Sequence, residues 1–412
     1  MKKTIILFIG VCLICLGILN ENKKENNELY NADVINKEKN TLSMMLETEF
    51  NSGKYEETTG SSWPAEGYLF NSTLSKCKNG SSLSWDNDKK QVIFEGNTKD
   101  DCYVYFDKEP LYLYKYIKKL YTGVQGENNL YYHNSSLTNG AGDYSYRYAG
   151  SSDTTNNFVC FGYDSKDGSC PTDNLYRIIG VFENQVKLIK YDYALSALLG
   201  TDGCAAMPYS KTDNVGVSKG ENTNIYAYHW YTSYLPSNDW QGSCLNETNL
   251  NTNFLNNIGD KWANMIYINN WKIGGNYRSN IYRIPSVVYE SEILSSRTTY
   301  DAKVGLMYIS DYGFAAAPTA WNTLLYNKST NDDYSNSDII SVNWMHMGLM
   351  EWTITPSIDT NIGVFSIMPY GHINGDRNSY KNHFAIRPTF YLNPNVTYVS
   401  GSGKKTEPIL IK

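Results

Sequence analysis

Six cysteines, Cys77, Cys102, Cys160, Cys170, Cys204 and Cys244, constrain this 412-residue chain more than any other feature. An even cysteine set in a chain that leaves the cytosol reads as a disulfide framework. The same chain carries the mark of that route. Met1, Lys2 and Lys3 form a short positive flank, residues 4–19 (TIILFIGVCLICLGIL) are uncharged and mostly apolar, and a polar stretch follows at once. Positive flank, apolar run and polar exit describe a secretory signal peptide or signal anchor, with the remainder translocated. Cys12 and Cys15 lie inside the run behind Val11 and Ile14, so neither has the small preceding residue that lipidation requires. No small-x-small cleavage site follows, and the run is short for a membrane-spanning helix of about 20 residues. Cleaved signal and uncleaved anchor therefore both stay open.

Pairing of sequence neighbours is favoured among the connectivities open to six cysteines. Cys77 and Cys102 bracket an alternating stretch with a turn at Asn87-Asp88, and Cys160 and Cys170 bracket the tight-turn signal Asp167-Gly168. Cys204 and Cys244 would tie a long polar loop. Zinc is set aside, because these six contain no C-x-x-C pair and no histidine at ligand spacing.

Residues 20–54 read as a polar linker, rich in Asn, Lys and Glu over 20–46. Residues 55–108 read as a small β-module, with CYVYF at 102–106 as its central strand. The remainder, 109–412, is expected to be one loop-rich domain. A helix is predicted after Pro110, with Leu113, Ile117 and Leu120 at helical spacing, and another over 249–258, stopped by Gly259. LYRIIGV at 175–181 and QVKLIK at 185–190 read as a hairpin, and 303–310, 364–367 and 384–392 as further strands. Long polar loops fall at 212–224 and 329–341. The net charge of −6 and the lack of a long basic cluster exclude nucleic acid as a partner.

Several blocks carry a resemblance: DNLYRIIGVF at 173–182, VKLIKYDY at 186–193, VGLMYISDYGFAAAP at 304–318, WMHMGLMEWTITP at 344–356 and AIRPTFYLNPNVTYVSGSG at 385–403. Together they resemble a group of uncharacterised surface proteins of low-GC Gram-positive gut bacteria. The layout of 109–412 is also similar to the C-type-lectin-like fold, including its formylglycine-generating branch. The resemblance implies an α+β architecture: a small disulfide-tied β-module, then a C-type-lectin-like domain of mostly antiparallel strands and few helices, with Arg387-Pro388 in its closing segment. It carries no enzyme activity across, because no cysteine follows Cys244 to form the copper-holding pair. Calcium has no motif behind it either: Asn393-Pro394-Asn395 lacks the acid, and no Trp-Asn-Asp occurs.

The candidate ligand-binding set is Trp321, Trp344, Glu351, Trp352 and Arg387, with Tyr312 and His346 near them in sequence. Rings stack on the apolar faces of sugars, and acids bond hydroxyls. The alternatives are that these tryptophans anchor a core and that Glu351 pairs with Arg387 as a structural bridge. His133, His229, His346, His372 and His383 would form a metal site only by converging with acids, as His372 and His383 could around Asp376. Asn331, Asp332, Asp333 and Asp338 lack the spacing of a calcium loop. No cofactor is expected. The chain is expected to be a secreted or membrane-anchored surface protein that binds a glycan or a surface protein rather than an enzyme. An extracellular glycan hydrolase and a structural envelope component are the alternatives.

Overall fold

A computed structural model describes residues 41–58, 62–64, 66–96, 100–165, 168–208, 225–231, 237–326 and 337–412. The proposed export segment and Asn331, Asp332 and Asp333 lie outside these residues. Two compact units divide the chain, Met1–Leu111 and Tyr112–Lys412.

The small unit is organised around the strand Asp101–Lys108, whose Cys102, Val104 and Phe106 are buried at every second position. Such alternation is the period of a strand with one face on the core. It pairs in parallel with Thr41–Glu47 and antiparallel with Tyr68–Phe70 and Lys76–Cys77, so 102–106 is central as its apolar run implies. Thr41–Glu47 corrects the linker boundary at residue 54. Leu42, Met44 and Leu46 recur with period two and pack on Val104 and Phe106, a strand signal hidden by the polar composition around it. Ser82–Asp86 and Gln91–Glu95 form the antiparallel hairpin between Cys77 and Cys102.

In the large unit a seven-stranded antiparallel sheet surrounds the hairpin Leu175–Phe182 and Gln185–Lys190. Thr389–Tyr391 and Val304–Gly305 continue the sheet on one side. Tyr146–Tyr148 and Leu130–Tyr132 continue it on the other, and Phe158–Cys160 also pairs with Leu175–Phe182. Both hairpin strands are buried nearly end to end. Ile178 and Leu188 enter the main core on one face, while Ile179 and Ile189 enter a second core on the other. This two-sided burial explains why the segments read as continuous apolar runs. A separate three-stranded antiparallel sheet comprises Glu351–Pro356, Gly363–Ile367 and Ile373–Asn378.

Helices are short. Leu113–Lys119 buries Leu113 and Ile117 as the spacing predicts. The second predicted helix starts earlier than residue 249, running over Leu245–Phe254 and on through Leu255–Ile258, and ends at Gly259 with φ 80°. The expected strand at 303–310 is corrected. Only Val304–Gly305 is strand, and Ile309–Ala315 is helix. Asp311 accepts from the Tyr308 backbone N–H at 2.9 Å, a cap that turns an apolar run of strand-like composition into a helix start.

The fold is therefore α+β, strand-dominated and mostly antiparallel. Its bridges are Cys77–Cys102, Cys160–Cys170 and Cys204–Cys244, the neighbour pairing. Bridges of this kind belong to an oxidising, extracellular setting. Among the described residues no helix is long and apolar enough to cross a membrane.

Cys204 and Cys244 are 40 residues apart. Asn249 closes the same loop, accepting from Cys204 N–H at 2.9 Å and donating to Leu199 O at 2.8 Å. A double Cys204→Ala, Cys244→Ala variant should lose about 4 kcal/mol of stability in chemical unfolding, the entropy of a loop of that length.

Candidate functional site

The sequence-derived set does not form a site. Trp321, Trp344 and Trp352 are fully buried and belong to three different packing clusters. Each indole N–H is already satisfied, by Ala316 O, Tyr148 O and Tyr228 O at 2.7–2.8 Å. Rings without a solvent face cannot stack on a ligand, so the binding reading of these three is corrected to core anchoring. Glu351 and Arg387 are equally buried and bond each other through two contacts of 2.7 and 2.9 Å. Arg387 also donates to Met345 O at 2.7 Å. Although burial works against its charge, Glu351 outweighs it and holds Arg387 above the usual arginine range. The pair is a structural bridge, not a ligand contact.

His133 packs against Trp321 and Phe314 at 5.0 Å and accepts from Ala141 N–H through Nδ1 at 2.9 Å. His372 packs on Tyr326, and His383 packs on His229. Among the described residues no three His, Cys, Asp or Glu side chains gather as a metal site. The pentapeptide Gly216-Val217-Ser218-Lys219-Gly220 has the spelling of a nucleophile elbow, but it lies outside the described residues.

A different place assembles chemistry. A cavity of about 160 Å³ opens over Arg147, Lys187 and Asp311, walled by Phe182, Tyr289, Tyr308 and Tyr391, with Asn270 and Lys272 among its lining. Local structure dictates each position. Gly180 lets the hairpin approach Tyr146–Tyr148: a Cβ there would meet Tyr146 O at 2.4 Å. The strand carrying Arg147 therefore lies close against the hairpin. Lys187 and Tyr391 are direct cross-strand partners. Tyr308 and Asp311 come from the start of the helix Ile309–Ala315, and Asn270 and Lys272 from the strand Asn269–Lys272.

Charge is concentrated at the floor. Lys187 Nζ donates to Asp311 Oδ2 at 2.6 Å, and both groups are almost wholly buried. Arg147 donates to Asp143 at 2.6 Å and to Ser145 Oγ at 2.8 Å. Tyr289 adds a hydrogen bond to Asp143 at 2.7 Å. Rings support the cations. Lys187 lies 4.4 Å from the Tyr308 centroid and 5.1 Å from that of Tyr391, and Arg147 lies 4.7–4.9 Å from Phe182, Tyr289 and Phe314. Such contacts offset part of the cost of desolvating a cation.

Burial pushes Lys187 below the usual lysine range even though Asp311 opposes it. Burial works to raise Asp143, but Arg147 and hydrogen bonds from Ser145 and Tyr289 outweigh it and hold Asp143 well below the carboxylate range. Glu292 is fully buried beneath the site. Its carboxylate accepts from Ile309 N–H at 3.1 Å and Ser310 N–H at 3.0 Å, and burial pushes it above the usual range. Arg147 Nη1 is buried with no hydrogen-bond partner among the described residues and lies 4.0 Å from Asp311 Oδ1.

No family model matches the chain, and no curated protein or solved structure matches it either. The chemistry of the cavity itself is what bears on its role. The sequence holds a signal for it. Lys187 in QVKLIK and Asp311 in VGLMYISDYGFAAAP are charges inside apolar runs, and charged residues are almost never buried unless paired.

Glu351→Ala should destabilise the large unit by about 3–5 kcal/mol, since it leaves a buried guanidinium unpaired. A Glu351→Leu, Arg387→Met double variant should recover most of that loss in the same urea titration. His133 gives a pH test. Burial, with Arg147 adding to it, holds the folded imidazole neutral, well below its usual range. The unfolded chain binds the proton below about pH 6.5 and the folded chain does not, so stability falls by about 1.4 kcal/mol per pH unit below that point. The stability difference between the native chain and a His133→Asn variant, measured from pH 7 to 5, should show that slope.

Proposed function

We propose that this chain is an exported surface protein whose large unit, a C-type-lectin-like domain, binds a glycan in the cavity over Lys187 and Asp311. The observation that carries the reading is the lining: three tyrosine rings, amide side chains at the mouth, and charged groups of both signs, Asp311 with Arg147, Lys187 and Lys272. A sugar presents hydroxyls that both donate and accept, matching the amides and the charges of both signs along the lining. The volume is about five water molecules' share of liquid, which suits one terminal sugar residue rather than an oligosaccharide. The three disulfides support a location outside the cytosol, and the N-terminal run supports export as a secreted or membrane-anchored protein.

Binding is favoured over hydrolysis by the state of the acids. Asp143 and Asp311 are both tied to cations, and Glu292, pushed upward by burial, is held by backbone N–H groups and does not line the cavity. A glycosidase needs one carboxyl kept protonated where it meets the leaving oxygen.

The test is a glycan array followed by calorimetry on the best ligand. Asn270→Ala and Lys272→Ala at the mouth should each weaken binding by up to about tenfold, the worth of one lost hydrogen bond. A folded protein that stays blank on the array would sink the proposal. So would a bound glycan whose affinity neither substitution changes.

A further inference from the structure

We propose that Lys187 and Asp311 join covalently, forming an intramolecular amide between Nζ and Cγ that locks the sheet to the helix Ile309–Ala315. This goes beyond ligand binding and does not depend on it. The geometry carries it. Nζ and Oδ2 are 2.6 Å apart, which places Nζ roughly 3–3.5 Å from Cγ, the range of reacting atoms poised for attack. The pair is almost wholly buried at the floor of the cavity and ringed by aromatic groups: Trp271 and Phe182 lie 5.4 and 5.7 Å from Nζ, in addition to Tyr308 and Tyr391. Asp311 cannot swing away, because Oδ2 also accepts from Tyr308 N–H and the carboxylate of Glu292 grips the two preceding backbone N–H groups.

The step balances without an oxidant or co-reactant. A proton passes from the Lys187 ammonium to Asp311 Oδ2 across their hydrogen bond, leaving an amine and a carboxylic acid. Burial, which pushes Lys187 downward, favours the loss of its proton. The nitrogen lone pair forms the Nζ–Cγ bond while negative charge builds on Oδ1. Arg147 Nη1, a buried donor with no hydrogen-bond partner among the described residues, sits 4.0 Å from that oxygen and tightens onto it as the charge develops. The Cγ–Oδ2 bond then breaks, and a proton from nitrogen joins the departing hydroxyl. One water molecule leaves into the adjoining cavity, and a secondary amide remains.

Mass spectrometry of the folded protein after prolonged incubation tests this. With the three disulfides accounted for, the intact mass should be lighter than the sequence mass by one water. A proteolytic digest should yield a branched peptide in which fragmentation places the link between Lys187 and Asp311. That second reading separates the amide from an aspartyl succinimide, which loses the same mass without a branch. Lys187→Met and Asp311→Ala should each abolish the branched peptide and restore the water. Because the digest is read on the native chain, a variant that fails to fold does not blunt the test. Recovery of the peptides containing Lys187 and Asp311 unlinked, at full mass, overturns the proposal. A blank glycan array would not affect it.

Discussion

The contact between Lys187 and Asp311 is the constraint around which the large unit is arranged. A cation in the middle of a doubly covered strand is tolerable only if a counter-charge reaches it without bringing water along. Asp311 does so from the first turn of a short helix, and the same carboxylate caps that helix. One side chain thus fixes where the helix begins, where it lies over the sheet, and which way the preceding apolar run turns. Arg147 extends the network to the next strands and is anchored in turn by Asp143 and Tyr289.

The same solution recurs elsewhere in the unit. Arg387 is held by Glu351, while Arg177 has no carboxylate partner among the described residues and is met by Asn157, Ser152 and the carbonyls of Thr155 and Trp344. Its guanidinium stacks on Phe158 and Trp344, and burial pushes it down to about 9. A loop-rich domain with short helices has few long ladders to define its register. Buried polar groups with single good partners supply that definition. The cavity is a by-product of this arrangement: rings gathered around buried cations leave a concave, aromatic-walled space above them.

Local features of the fold are readable in the sequence, while long-range ones are not. Apolar runs on either side of a short turn locate the hairpin 175–190, helical spacing locates the helix after Pro110, and turn signals between neighbouring cysteines locate the bridges. The helix at 309 escapes such a reading because LMYIS has strand composition and its deciding feature is one carboxylate two residues on. The strand at 41–47 escapes it because its apolar residues are averaged into a polar stretch. The tryptophan site fails for a physical reason: large rings are as useful to a core as to a ligand, and nothing in Trp321, Trp344 or Trp352 distinguishes the two. The cavity is out of reach because its residues run from Arg147 to Tyr391 and converge only through the sheet. The charges embedded in apolar runs are visible in the sequence, and they mark the place.

Native-state hydrogen exchange on the native chain and an Asp311→Ala variant addresses the central claim most directly. If the buried network joins sheet and helix into one cooperative unit, amides of Gln185–Lys190, Tyr146–Tyr148 and Ile309–Ala315 will lose protection together. If only the amides of Ile309–Ala315 speed up while the strands keep their protection, Asp311 is a helix cap and no more, and the buried network does not hold sheet and helix together.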